Sequence, residues 1–121
     1  MKGFCFTREF PRKLLKKHDF GDARVIRISN VWADSSIRPN DLGKINLLSE
    51  EFLSGQRSVI FINSLESLIT TNGFFGVIKM LSILRDATAS HGSVLITSVN
   101  RKVITEGEAR LLIREVDRII I

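Results

Sequence analysis

Three polar residues, Asn63, Ser64 and Glu66, are the first candidates for ligand binding or catalysis. They follow a continuous apolar run, Val59-Ile60-Phe61-Ile62. An unbroken apolar run is typical of a central strand covered on both faces. In open parallel sheets, ligands bind beyond the carboxyl ends of the strands. We therefore predict that Asn63, Ser64 and Glu66 lie at a ligand-binding edge. Glu66 has a second interpretation, which we favour, as a first-turn acid that complements the helix dipole by about 0.3–1 kcal/mol.

Three absences argue against catalysis at that edge. No G-x-x-x-x-G-K-[ST] motif occurs, so the chain lacks the glycines and the lysine that cradle phosphates. The apolar run ends in Asn63, which lacks the negative charge that would orient metal-bound water. Ser29, at the end of another predicted strand, is followed by Asn30-Val31-Trp32 and thus by no carboxylate that could act as a general base. We predict a protein that is not an enzyme and that carries no cofactor.

Metal and thiol chemistry are equally poorly supported. The single cysteine, Cys5, stands between Phe4 and Phe6, a pattern that indicates a buried structural thiol rather than a nucleophile. Neither His18 nor His91 has a metal-ligand spacing to another histidine, cysteine or acid. We predict no metal site.

The net charge of +5 is concentrated near the amino terminus, because residues 1–27 hold eight basic and three acidic side chains. Such a patch could bind an anion or a nucleic acid. The alternative, which we favour, is a solvated helix face whose lysine stems cover the core. A nucleic-acid partner is not favoured, since neither aromatic–basic interleaving nor a helix-turn-helix pattern is visible. The anion-binding candidates are Arg8, Arg12, Lys13, Lys16 and Lys17.

Strand-like and helix-like segments alternate along the chain. The predicted strands are Gly3–Arg8, Arg24–Ser29, Ser58–Asn63 and Ser93–Val99, and Ile119-Ile120-Ile121 is either an edge strand or a helix end. The predicted helices run from Pro11 to Gly21, from Asn40 or Asp41 to Gly55, and from Leu65 to Gly92 with a break at Asn72-Gly73. A last helix begins at a Thr105–Glu108 capping box, and its predicted inward-facing residues are Ala109, Leu112, Ile113 and Val116. Residues 30–40 are predicted to form a loop anchored by Trp32 and Ile37.

This alternation predicts one α/β domain over residues 1–121. Its architecture would be a three-layer sandwich, with a mostly parallel central sheet of four or five strands and helices on both faces. No apolar stretch approaches the ~18 residues of a membrane span, and no signal peptide opens the sequence. We expect a cytoplasmic protein without a membrane partner.

The segment from Ser58 to Asn100 resembles the half of RecA- and KaiC-like ATPases in which an apolar strand, a "Ser-Leu" helix start, a long helix and a strand such as Leu95-Ile96-Thr97-Ser98 follow one another. In those proteins the first of these strands ends in a magnesium-binding aspartate. The resemblance implies a core of that type that lacks the phosphate-binding loop.

Nearly the whole chain resembles the archaeal family called domain of unknown function 835. The matching segments are Thr7-Arg8 with Pro11, residues 16–20, 37–42, 58–69 and 72–74, Val99-Asn100, and residues 108–112. Members of that family are stand-alone proteins or tails of archaeal sensory proteins, so the resemblance implies signalling or partner binding. The family pattern has Asp-Gly where this chain has Asn63-Ser64, which argues against a metal or nucleotide role at that position.

Taken together, these features predict a non-catalytic interaction or signalling module. The alternatives are a nucleic-acid or anion binder that uses the basic first helix, and a degenerate nucleotide-binding domain. We expect a protein partner. Self-association as a homodimer is a further prediction, because Phe74-Phe75 and Ile119-Ile120-Ile121 offer more apolar surface than a small domain easily covers.

Overall fold

The computed structural model describes residues 2–8, 23–30 and 36–120, and the elements below belong to those ranges. The strands are β1 (Lys2–Thr7), β2 (Arg24–Ile28), β3 (Ser36–Ile37), β4 (Ser58–Ile62), β5 (Val94–Ser98) and β6 (Arg118–Ile120). The α-helices are α1 (Leu42–Leu53), α2 (Leu65–Asn72), α3 (Phe74–Ser90) and α4 (Glu106–Glu115), and a 3-10 turn spans Arg101–Val103. None of these helices is long and apolar enough to cross a membrane.

The strands form one sheet in the order β3-β2-β1-β4-β5-β6, and every neighbouring pair is parallel. The chain starts in the middle with β1, proceeds outward to β3, and then returns to build the other half from β4 to β6. This order is that of the doubly wound α/β fold, whose direction of progression reverses between β1 and β4. The predicted α/β class is confirmed, and the arrangement is consistent with a three-layer sandwich. Within the described residues the sheet has six strands, one more than the largest number predicted.

Local sequence signals set where the helices begin and end. The Asp41 side chain caps α1 by accepting a hydrogen bond from the Lys44 backbone N–H at 3.2 Å. The predicted break between α2 and α3 falls at Gly73, whose φ of 79° and ψ of 156° are open to glycine but strained for other residues. The predicted capping box is present at α4, where Thr105 and Glu108 bond each other's backbone N–H groups.

The core lies between the sheet and the helices α1, α3 and α4, which pack side by side. The ring of Phe4 is 4.6 Å from that of Phe52 on α1 and 4.9 Å from that of Phe6, measured between centroids. Along β4, fully buried Ile60 alternates with partly exposed neighbours. This strand lies between β1 and β5, so its predicted central position is confirmed. The prediction that both of its faces are fully covered is not borne out, because the face that carries Val59 and Phe61 is only partly buried. Cys5 is buried, as predicted for a structural thiol.

Two predicted features differ from the structure, one open alternative is decided by it, and two further features lie outside its described residues. β3 falls inside the predicted loop around Ile37, because a two-residue strand carries no periodic signal. Ile113 was predicted to face inward, which is wrong, since its side chain is 62% exposed. Of the alternatives for residues 119–121, the edge strand is correct for Ile119 and Ile120. The helix predicted from residue 11 to 21 and the Trp32 anchor lie outside the described residues.

Candidate functional site

The candidate site lies at the carboxyl edge of the three strands β1, β4 and β5. Parallel pairing aligns Phe6 with Ile62, and Ile62 with Thr97. Polar residues end or follow these strands: Thr7 in β1, Asn63 directly after β4, and Ser98 in β5. The gap between β1 and β4 is also the place where the order of strands reverses. Doubly wound proteins bind their ligands in the crevice at this position.

Asn63 connects the ends of these strands through both ends of its amide group. Its Nδ2 donates a hydrogen bond to Thr7 Oγ1 at 2.9 Å, and its Oδ1 accepts one from Ser98 Oγ at 2.8 Å. Its backbone N–H also donates to the Phe6 carbonyl oxygen at 2.8 Å, which prolongs the β1–β4 pairing by one residue. We call the Thr7–Asn63–Ser98 set the cross-strand brace. The side chain of Asn63 therefore has a structural task at the position where a ligand-binding group was predicted.

Ser98 extends this brace to the turn after β4. Its hydroxyl oxygen accepts a hydrogen bond from the Ser64 backbone N–H at 2.8 Å while the same hydroxyl donates to Asn63. Ser64 has a left-handed backbone, with φ of 61° and ψ of 60°, a conformation that is uncommon for a residue other than glycine. This backbone geometry turns the chain at Ser64, and α2 begins at the next residue, Leu65. The hydrogen bond from Ser64 to Ser98 helps to hold that conformation.

The hydroxyl of Ser64 itself makes no capping hydrogen bond. Instead, the carbonyl oxygen of Ser64 accepts hydrogen bonds from the backbone N–H of Ser67 at 3.1 Å and from the Ser67 hydroxyl at 2.9 Å. Ser64 is partly exposed, so its hydroxyl is open to an external hydrogen-bond partner.

Glu66 lies in the first turn of α2, as expected of an acid that complements the helix dipole. Its Oε2 accepts a hydrogen bond from the Asn100 backbone N–H at 3.1 Å, and the Asn100 Oδ1 in turn caps the following 3-10 turn through the Lys102 N–H. Glu66 thus fixes the loop after β5 against the start of α2. This contact adds a structural role that the sequence did not reveal.

The chemistry available at this edge is that of neutral hydrogen-bonding groups beside the carboxylate of Glu66 and the guanidinium of Arg8. Among residues 2–8, 23–30 and 36–120, no three histidine, cysteine, aspartate or glutamate side chains are grouped so that they could hold a metal ion. The described side-chain hydrogen bonds of Asn63, Ser98 and Glu66 join them to one another, to Thr7 or to backbone groups. The arrangement is suited to shaping a surface and to hydrogen bonding.

Two members of the brace, Thr7 and Ser98, were not predicted as site residues. Thr7 is fully buried and Ser98 is partly buried, so neither stands out as a ligand-binding residue. A signal for both was nevertheless present, since each polar residue ends an apolar strand and parallel strands bring such ends to the same edge.

Of the five anion-binding candidates, only one falls in the described part of the chain. Arg8 is exposed directly after β1, next to the brace. Arg12, Lys13, Lys16 and Lys17 lie outside the described residues, so the anion-binding hypothesis for the basic segment stays a prediction.

The strand order and the polar carboxyl edge define a doubly wound α/β domain with its candidate site at the switch point. The model of the family described as "Protein of unknown function (DUF835)" matches residues 1–116, and the chain belongs to that family. No curated protein matches the chain.

Proposed function

We propose that this protein is a non-catalytic interaction module that works by binding a partner protein. The observation that carries the proposal is the cross-strand brace. At the position where nucleotide hydrolases of similar pattern place a metal-binding acid, Asn63 is joined to Thr7 at one end of its amide and to Ser98 at the other. A side chain held in this way stabilises the edge of the sheet and is not free to move with a reacting group.

An exposed aromatic side chain also supports a protein partner. Phe75 at the start of α3 is 77% exposed, whereas its neighbour Phe74 is buried. Of the apolar pair expected to favour self-association, therefore, only Phe75 offers its side chain to a partner. Aromatic residues, phenylalanine among them, are enriched at protein–protein interfaces relative to the rest of the surface. A protein partner, including a second copy of the chain, accounts for such a residue better than a solvent-facing role does.

The proposal is tested by measuring phosphate release from ATP and GTP with magnesium. We expect no release above that of a buffer blank from the wild-type protein or from Glu66→Gln. Glu106→Gln is the matched control, because Glu106 occupies the first turn of α4 as Glu66 does that of α2. Hydrolysis that is present in the wild type and in Glu106→Gln but lost in Glu66→Gln would overturn the proposal.

A second candidate function is nucleotide binding without hydrolysis. It is favoured by the strand order, because doubly wound sheets bind nucleotides at the switch point that β1 and β4 form here. The similarity of residues 58–100 to RecA- and KaiC-like ATPases supports the same ancestry, with the phosphate-binding loop absent. The hydrogen bond from Asn63 to Thr7 joins the ends of β1 and β4 at this position, so a ligand there would meet side chains that already bond each other.

A thermal-shift series with nucleoside mono-, di- and triphosphates, with and without magnesium, tests this second candidate. A ligand present at 100 times its Kd stabilises the folded state by about 2.7 kcal/mol, which corresponds to a melting temperature raised by about 10 °C for a chain of this size. An unchanged melting temperature at millimolar concentrations of every nucleotide would exclude it. A role of the module in archaeal signalling is the implication of its family resemblance, and it depends on the identity of the partner.

A further inference from the structure

A groove of about 410 Å³ lies between α4 and β6, at the end of the sheet that is remote from the switch point. Most of its lining is apolar and comes from α4, β6 and the loop after β5. The apolar lining residues include Val99, Ile104, Leu112, Ile113, Val116 and Ile119. Its volume falls in the range of ~300–1,000 Å³ found for ligand-binding clefts.

The groove runs beside an edge strand. In the described part of the sheet, β6 pairs with β5 and is the outermost strand on its side. Exposed apolar side chains lie on both elements, since Ile113 on α4 is 62% exposed and Ile120 on β6 is 48% exposed. An extended segment that paired with β6 would cover this apolar surface and satisfy backbone groups at the edge, which is how peptides add to sheets by β-augmentation.

The charges around the groove select the partner. Arg101 and Arg118 both line it and are exposed, and the side chain of neither has a hydrogen bond or an ion pair within the described part of the chain. The one acid in the lining, Asp117, uses its Oδ2 to accept a hydrogen bond from the Leu95 backbone N–H at 2.7 Å. Two free cations beside an apolar groove favour an occupant that is apolar and acidic.

We propose that the groove between α4 and β6 binds an extended, acidic segment of a partner protein, which adds to the sheet beside β6 and places apolar side chains against Ile113 and Ile119. Glutamate or aspartate side chains of that segment pair with Arg101 and Arg118. This inference rests on the proposed function, since it names the class of partner that an interaction module of this shape would bind.

A second copy of the chain is a poorer occupant than an acidic segment. Isologous pairing of two β6 strands would bring Arg101 and Arg118 of each copy close to the same residues of the other. Like charges at an edge oppose pairing and are one device by which sheets avoid it. The same arginines attract an acidic segment, so charge distinguishes the two occupants.

Fluorescence anisotropy with labelled nine-residue peptides tests this proposal. One peptide alternates valine or isoleucine with glutamate, a second replaces each glutamate by lysine, and a third is the acidic peptide with N-methylated backbone amides. We expect saturable binding of the acidic peptide, at least about tenfold weaker binding of the lysine peptide, and loss of binding with the methylated one, because methylation removes the backbone donors that β-augmentation needs. Added salt should weaken the binding of the acidic peptide.

Four variants of the full chain complete the experiment. Ile113→Asp and Arg118→Glu should each weaken binding of the acidic peptide by about tenfold. The matched controls are Leu47→Asp, at an exposed apolar position on α1, and Arg110→Glu, at an exposed position on α4 outside the groove lining. Both controls should leave the affinity unchanged. All four sites are exposed, so folding should persist, which circular dichroism would check.

The proposal is overturned if no peptide binds, if the acidic and lysine peptides bind equally, or if the controls weaken binding as much as the groove variants do. It is also overturned if light scattering shows a wild-type dimer that Ile113→Asp converts to a monomer, since a second copy would then occupy the groove. None of these results depends on phosphate release, so the inference can fail while the non-catalytic role stands. Conversely, hydrolysis that requires Glu66 would refute that role whatever the peptides do.

Discussion

Replacing Asn63 with alanine would remove the centre of the cross-strand brace, and the structure sets the size of the effect. Two side-chain hydrogen bonds are lost, one to Thr7 and one to Ser98. At about 1 kcal/mol for each, the free energy of unfolding should fall by about 2 kcal/mol. For a domain of this length that corresponds to a melting temperature lowered by about 8 °C. Urea and thermal unfolding, followed by circular dichroism, measure both quantities.

The matched control for this substitution is Asn40→Ala, at an exposed asparagine, which should change the free energy of unfolding by less than about 0.5 kcal/mol. A double-mutant cycle with Ser98→Ala isolates one bond of the brace. We expect a coupling energy of about 1 kcal/mol between Asn63 and Ser98. If Asn63→Ala is no more destabilising than Asn40→Ala, or if the coupling energy is zero, the brace does not stabilise the sheet and the structural role of Asn63 is refuted.

Two further pairs of substitutions test the structure through the free energy of unfolding. The two glycine substitutions should change it in opposite directions, and the two serine substitutions should raise it by different amounts. Gly73→Ala should lower the free energy of unfolding by about 1–3 kcal/mol, because the φ of 79° is strained for alanine; Gly76→Ala, inside α3, should raise it by up to about 1 kcal/mol through helix propensity. Ser49→Ala should raise it by about 1–2 kcal/mol, since the buried Ser49 hydroxyl has no hydrogen-bond partner among the described residues, whereas Ser82→Ala, partly exposed on α3, should gain only the helix-propensity part. Urea unfolding measures all four changes. Changes of the same sign for the two glycine variants, or equal increases in the free energy of unfolding for the two serine variants, would contradict the strain at Gly73 and the unpaired hydroxyl of Ser49.

Much of the fold was predictable because its signals are local. The apolar run at residues 59–62, the Asp41 cap, the break at Gly73 and the Thr105–Glu108 capping box each depend on residues within a few positions of one another. β3 was not predictable, because its two residues pair with β2 only once the chain is folded. The exposure of Ile113 was missed for a similar reason, since helical spacing shows which side chains share a face but not how far the sheet extends beneath them.

The candidate site was predictable in position but not in its contacts. Asn63, Ser64 and Glu66 do lie at the carboxyl edge of a central strand. The partners Thr7 and Ser98 are separated from Asn63 by 56 and 35 positions. Only the register of the parallel pairing brings them together, and no sequence pattern within one segment encodes that register. The hydrogen bonds that engage Asn63 could therefore be recognised only from the structure.

The order of the strands in the sheet determines when each of them can pair as the chain leaves the ribosome. β1 can pair with β2 once residue 27 has emerged, but its other side waits for residues 58–62 of β4. Until then, the backbone N–H and C=O groups along one edge of β1 have no strand with which to pair. The cross-strand brace forms later still, because Ser98 must be synthesised before its hydroxyl can donate a hydrogen bond to Asn63 Oδ1. The candidate site is therefore completed only after β5 has emerged, long after the residues of β1 and β2 that pair with each other.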